Sequence, residues 1–178
     1  MKVRLHTEEG KYFKDNEWKA IHAAFEFFIR EYGLDKYGYD LYVRFPKNLG
    51  NSFLLSTHGN CVTQFYRLKD GTHKVMKFTI NISPSRNIHK ITNTIFHEMT
   101  HVMQELRGYI ARPHDKGEIY KGVYYSVDKL KQATYKEYKN FPWEIEARQV
   151  ADEMMAKWYA HSGIKLSFWG KLINNYWS

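Results

Sequence analysis

One cysteine, Cys61, is the whole thiol content of the 178-residue chain. It has no internal partner for a disulfide, and it cannot build a Cys-x-x-Cys metal site. Long apolar runs are missing too: none approaches the ~20 residues that span a bilayer. The stretch from Met1 to Glu9 has no apolar signal core. No repeat, low-complexity tract or linker rich in proline, glycine and serine divides the chain, so a single domain over residues 1–178 is expected. Together these absences argue against a disulfide scaffold and a membrane protein, and they lead to the expectation of a soluble cytoplasmic protein.

What is present is globular in composition, with 43% apolar and 26% charged residues, and it can bury a core without covalent staples. Aromatic residues reach 17%, which suits a small α+β domain with an aromatic-lined cleft. The formal net charge is +8, an excess that can attract nucleic acid or simply form a solvated basic face. Lysine and arginine are scattered, with no run of five. The densest cluster, Lys129 to Lys139, is interrupted by Tyr135 and Tyr138.

Periodicity predicts an amphipathic helix over 16–32, with Trp18, Ile21, Ala24, Phe25, Phe28 and Ile29 on one stripe and Gly33 as its stop. Strand-like segments follow at 40–45, 52–57, 61–68 and 74–82, with Asp70-Gly71 as a hairpin turn between the last two. A long helix is expected to start at Ser83-Pro84. It carries Ile88, Ile91, Ile95, Met99, Val102 and Leu106 and ends at Gly108. A hairpin around Lys121-Gly122 over 118–127 comes next, then a helix over 142–160. The aromatic tail 164–177 is expected to pack back on the body.

His97-Glu98-Met99-Thr100-His101 lies inside the long helix. Residues four apart stack one turn above each other, so both imidazoles leave one face and can reach one zinc ion (Zn2+) at about 2.0–2.1 Å. Glu98 is offset around the helix, where it can reach water rather than the metal. Nine histidines and twelve glutamates placed at random would give this pattern roughly 0.03 times per chain, so chance is a poor explanation.

A catalytic zinc site wants a third protein ligand and leaves a fourth position open. The candidates are His114, Glu118, Glu144 and Glu146. Helical phase favours Glu144, which shares the face of Ala147, Ala151, Met154 and Trp158. Glu146 aligns instead with Gln149, Glu153 and Lys157 on a polar face. A carboxylate on a buried face needs a partner, and a cation supplies one.

With these residues in place, the chain resembles the gluzincin branch of the zincin metallopeptidases, in which His-Glu-x-x-His is followed by a glutamate on a later helix. That helix often reads Glu-x-x-Ala followed by Asp or Asn. Here Glu144-Ile145-Glu146-Ala147 matches, and Arg148 replaces the acid or amide that would support a histidine ligand. Tyr120 to Tyr125 and Pro142 to Arg148 are also similar to phage and bacterial proteins described as SprT-like metallopeptidases. The likeness covers roughly 77–155. The Gly-His-Gly setting of the SprT-like third ligand is absent, so the DNA-linked role of that family is not carried over.

The resemblance implies a zincin-like α+β fold with a small mixed or antiparallel sheet. It implies peptide hydrolysis with His97, His101 and Glu144 holding zinc and Glu98 as general base. Tyr124, Tyr125, His114 and Arg148 are candidate donors to an oxyanion, and the strand 77–82 is expected to form the cleft edge against an extended peptide. The expected partner is a peptide or protein substrate. Nucleic acid association and a non-catalytic interaction role are the competing readings.

Overall fold

The computed structural model describes residues 2–7, 12–46, 59–67, 73–85, 87–111 and 117–162. The strand expected at 52–57, the turn Asp70-Gly71, His114 and the tail 164–177 lie outside the described residues. The chain runs β1 (Lys2–Thr7), α1 (Asp15–Tyr32), a short 3-10 turn (Leu34–Lys36), β2 (Asp40–Phe45), β3 (Gly59–Arg67), β4 (His73–Ile82) and α2 (Ile88–Leu106). After these come β5 (Ile110–Ala111), β6 (Gly117–Tyr120), β7 (Val123–Ser126), α3 (Val127–Gln132), α4 (Tyr135–Lys139) and α5 (Pro142–Ser162). This is an α+β architecture with small sheets.

The larger sheet is mixed, in the order β1-β2-β4-β3. β1 and β4 flank β2 in parallel, with Val3 opposite Leu41 and Leu41 opposite Phe78, while β3 runs antiparallel to β4. Period-two alternation decides which face is covered. Leu41, Val43 and Phe45 of β2 and Phe78, Ile80 and Ile82 of β4 are fully buried. On the other face Lys77 lies over the Tyr42 ring. β4 is therefore interior, and the expectation that it forms the cleft edge is corrected: among the described residues antiparallel β3 is the outermost strand beside it.

The helices bury the stripes that their periodicity predicted. Ile21, Ala24, Phe25 and Phe28 of α1 meet Ile91, Ile95, Phe96, Met99 and Val102 of α2 in one core with Ala151, Met154 and Trp158 of α5. At Gly33 a φ of 60° ends α1 in the left-handed region that glycine tolerates. The start of α2 differs from the expectation at Ser83-Pro84. Asn87 is the cap, its side-chain oxygen accepting from the backbone N–H of His89 (3.0 Å) and Lys90 (3.2 Å). The segment Pro84 to Asn87 offers no apolar side chain to the stripe beyond proline, so a helix begun there would gain no burial. At the other end Gly108 N–H donates to Glu105 O and Tyr109 N–H to Gln104 O, a Schellman closure with Gly108 at φ 69°.

The second sheet is small, in the order β5-β6-β7. Its hairpin turns at Lys121 (φ 46°) and Gly122 (φ 86°), two left-handed residues whose twist matches the flanking strands. Ile110, Tyr120, Ala133, Phe141 and Trp143 form a separate apolar cluster beneath it, with Phe141 and Trp143 stacked at 4.6 Å between centroids. Among the described residues no helix is long and apolar enough to cross a membrane.

Candidate metal centre

α2 and α5 pack against each other, and that contact brings two segments of chemistry together. His97 and His101 sit one turn apart on α2. Glu144 sits in the first turn of α5, which begins at Pro142 directly after Phe141. The Nε2 atoms of the two histidines are 3.3 Å apart. His97 Nε2 lies 3.3 Å from Glu144 Oε2, and His101 Nε2 lies 3.3 Å from Glu144 Oε1. Ligands 2.0–2.1 Å from a tetrahedral zinc ion stand about 3.3 Å from one another, so these separations match a cation's shell. Among the described residues this trio is the one group of metal-ligating side chains so gathered.

A second observation fits a cation. Glu144 is 4% exposed, and its Oε1 is buried with no hydrogen-bond partner. The oxygen is within ion-pair reach of His101 Nε2, but the contact lacks hydrogen-bond alignment. A buried carboxylate oxygen left this way is costly unless a positive charge faces it. Burial works against the Glu144 charge, yet the two imidazoles overcome it and hold the carboxyl well below the usual carboxylate range. Burial likewise disfavours a charged His101, but Glu144 and then Glu98 push its pKa up.

Glu98 occupies the next helical position and is 4% exposed. Burial raises its pKa, with His97 and His101 pulling the other way. The first residue of β3, Gly59, lies directly against it. A Cβ added there would fall 2.5 Å from Thr94 Cγ2 and 2.9 Å from Glu98 Oε1. Glycine is thus what allows the edge strand to close over the carboxylate.

The candidates separate cleanly. Glu144 joins the histidines. Glu146 does not: its carboxylate accepts from Gln104 Nε2 (2.8 Å), the Tyr120 hydroxyl and Lys121 Nζ (2.8 Å). It is half-buried rather than placed on an open polar face. Glu118 is in β6 and outside the trio. Of the oxyanion candidates, Tyr124 is exposed, Tyr125 packs edge-on to Trp143 and Phe141, and Arg148 donates to the Lys139 carbonyl at 2.6 Å.

Two residues near the ligands were not singled out from the sequence. Tyr138 of α4 is half-buried, and its hydroxyl donates to Glu144. Burial first, then the charge of Glu144, drives its pKa far up, so it stays protonated. Gln104 is fully buried, and its side chain meets His101 Nδ1 at 2.9 Å. The spacing His101-x-x-Gln104 was a usable signal, since residues three apart share a helix face. For Tyr138 the only signal was the Thr134-x-x-Glu137 capping box that starts α4. Asp152, two turns beyond Glu144, hydrogen-bonds to Asn93 and lies within electrostatic reach of His97, on the face where Arg148 broke the expected acidic pattern.

No protein-family model matches this chain, and no curated protein matches it.

Proposed function

We propose that this protein is a zinc-dependent peptidase, with His97, His101 and Glu144 as ligands and Glu98 as general base. The observation that carries the reading is the convergence of three ligand atoms at tetrahedral spacing beside a buried carboxylate that is not one of them. A structural zinc site would close all four positions with protein groups, whereas the described residues gather three ligands, the number a catalytic site uses with one position open. A zinc ion held there would acidify water toward a pKa of ~7 and polarise a carbonyl.

The chain's own residues supply the rest. Glu98, with a pKa raised by burial, accepts a proton from the attacking water at its carboxylate and returns it to the departing amine. Tyr138 keeps its proton and holds the Glu144 carboxylate in place. The zincin resemblance agrees with this assignment.

The test is elemental analysis of the purified protein joined to a peptide-library screen at neutral pH. About one zinc per chain and cleavage that EDTA abolishes are expected. Zinc without cleavage across a broad library would favour an interaction protein on the same scaffold. Salt-dependent binding of DNA would favour a nucleic-acid role.

A further inference from the structure

Gln104 is a polar side chain with no exposed surface, in the middle of an interface between two helices. All of its hydrogen-bonding capacity on the nitrogen side is used. Nε2 donates to the Trp143 carbonyl at 3.0 Å and to the Glu146 carboxylate at 2.8 Å. Both partners can only accept, so the amide nitrogen must face them and cannot exchange places with the oxygen. The oxygen is thereby fixed toward His101, 2.9 Å from Nδ1. An amide oxygen accepts and cannot donate. The neutral ring of His101 must therefore carry its proton on Nδ1, which leaves the Nε2 lone pair aimed at His97 and Glu144.

From this geometry we infer that Gln104 is a positioning residue for His101, locked in turn by Trp143 O and Glu146, and that it presents His101 to the metal through Nε2. The inference rests on the metal reading of the site. It gives the two glutamates of Glu144-Ile145-Glu146 different work on the same ion: one as ligand, one at two removes through Gln104 and His101. It also ties the site to the β6–β7 hairpin, since Tyr120 and Lys121 reach the same Glu146 carboxylate. Arg148 stands where a supporting acid was expected on α5. The support comes instead from α2 itself.

The experiment uses zinc and cobalt(II) as probes of the full chain. Chelator competition gives the zinc affinity, and the visible bands of the cobalt form report ligand geometry. Gln104→Met keeps length and removes the acceptor. It is expected to weaken zinc binding ~10–100-fold, the usual loss when such an outer partner is removed, and to shift the cobalt bands. A merely structural role would lower the melting temperature of the metal-free protein and leave both readouts unchanged. Because a buried substitution can prevent folding, a second measurement uses the wild-type chain: long-range proton–nitrogen-15 NMR of the zinc-loaded protein. His101 is expected to keep its proton on Nδ1 and to bind through Nε2, the tautomer that the Gln104 oxygen selects. Wild-type affinity and bands in Gln104→Met would overturn the positioning role while leaving the metal site standing. Zinc bound to His101 through Nδ1, with the proton on Nε2, would overturn it as well. A wild-type protein that takes up neither ion would overturn both the metal reading and this inference.

Discussion

Neighbouring residues on one turn of α2 have opposite assignments, and substitution separates them. His97 belongs to the trio that could hold a metal ion, while Glu98 lies under Gly59, buried but outside the trio. Glu98→Gln keeps size and polarity and removes the basic oxygen. It is expected to bind zinc normally and to lose at least ~10²-fold in peptide cleavage, the lower range for general acid–base catalysis. Equal cleavage at equal zinc occupancy would sink that mechanism, and lost zinc would place Glu98 among the ligands instead. Gly59 gives an independent check on the same carboxylate. A methyl there collides with Thr94 and Glu98, so Gly59→Ala must move the strand or the base. Misplacing a reacting group by about 1 Å can cost ~10²-fold, so activity should drop by that order with zinc content unchanged. Wild-type turnover in Gly59→Ala would mean that β3 yields without disturbing Glu98.

At the scale of elements, the device most exposed to test is the start of α2. Asn87 accepts from two of the N–H groups that every helix leaves without a partner. Asn87→Ala is expected to cost ~1 kcal/mol of stability, read by urea unfolding, while Ser83→Ala should have little effect because Ser83 precedes the helix. The opposite ranking would restore the earlier start read from Ser83-Pro84. Three long helices were legible in the sequence because eighteen or more residues carry several turns of a 3.6-residue apolar period. The Lys121-Gly122 hairpin was legible through its turn chemistry. The short elements were not. α3 and α4 span six and five residues, too few to express a period, although Ser126 and Thr134 cap them. β1 was passed over although Val3 and Leu5 alternate with Lys2, Arg4 and His6, and its parallel pairing to β2 depends on a partner more than thirty residues away. The site divides in the same way. Two histidines four apart and a glutamate in helical phase are local patterns. The contacts of Gln104 with Trp143 and Glu146 join residues 39 and 42 positions apart, which no local pattern records.

For the whole molecule, a metal held between α2 and α5, as proposed, would couple ion binding to global stability. Both helices enter one core, so anything that binds the folded form and not the unfolded chain stabilises the fold. Free zinc at one hundred times its dissociation constant contributes ~2.7 kcal/mol, which for a chain of this size raises the melting temperature by roughly 5–10 °C. The gain depends on pH in a direction that the site itself sets. In the metal-free protein His101 titrates above its ordinary 6.5, because Glu144 outweighs the burial that opposes its charge. A raised histidine contributes stability below pH 6.5 and loses it as pH climbs through the folded value. Glu144 is depressed below its ordinary 4.5, so its contribution is present above pH 4.5 and fades as pH falls through the folded value. The metal-free fold therefore draws most from this pair between about pH 4.5 and 6.5. Zinc needs the neutral imidazole and must displace that proton, so its apparent affinity rises with pH until His101 is deprotonated by itself. Melting curves with zinc and with EDTA, taken at fixed free zinc from pH 6 to pH 8, should show the difference between them widening. The same series with His101→Ala should show almost no difference at any pH. A zinc-induced gain that stays constant or narrows over this range would mean that the ion displaces no proton from His101, and the ligand assignment would have to move elsewhere.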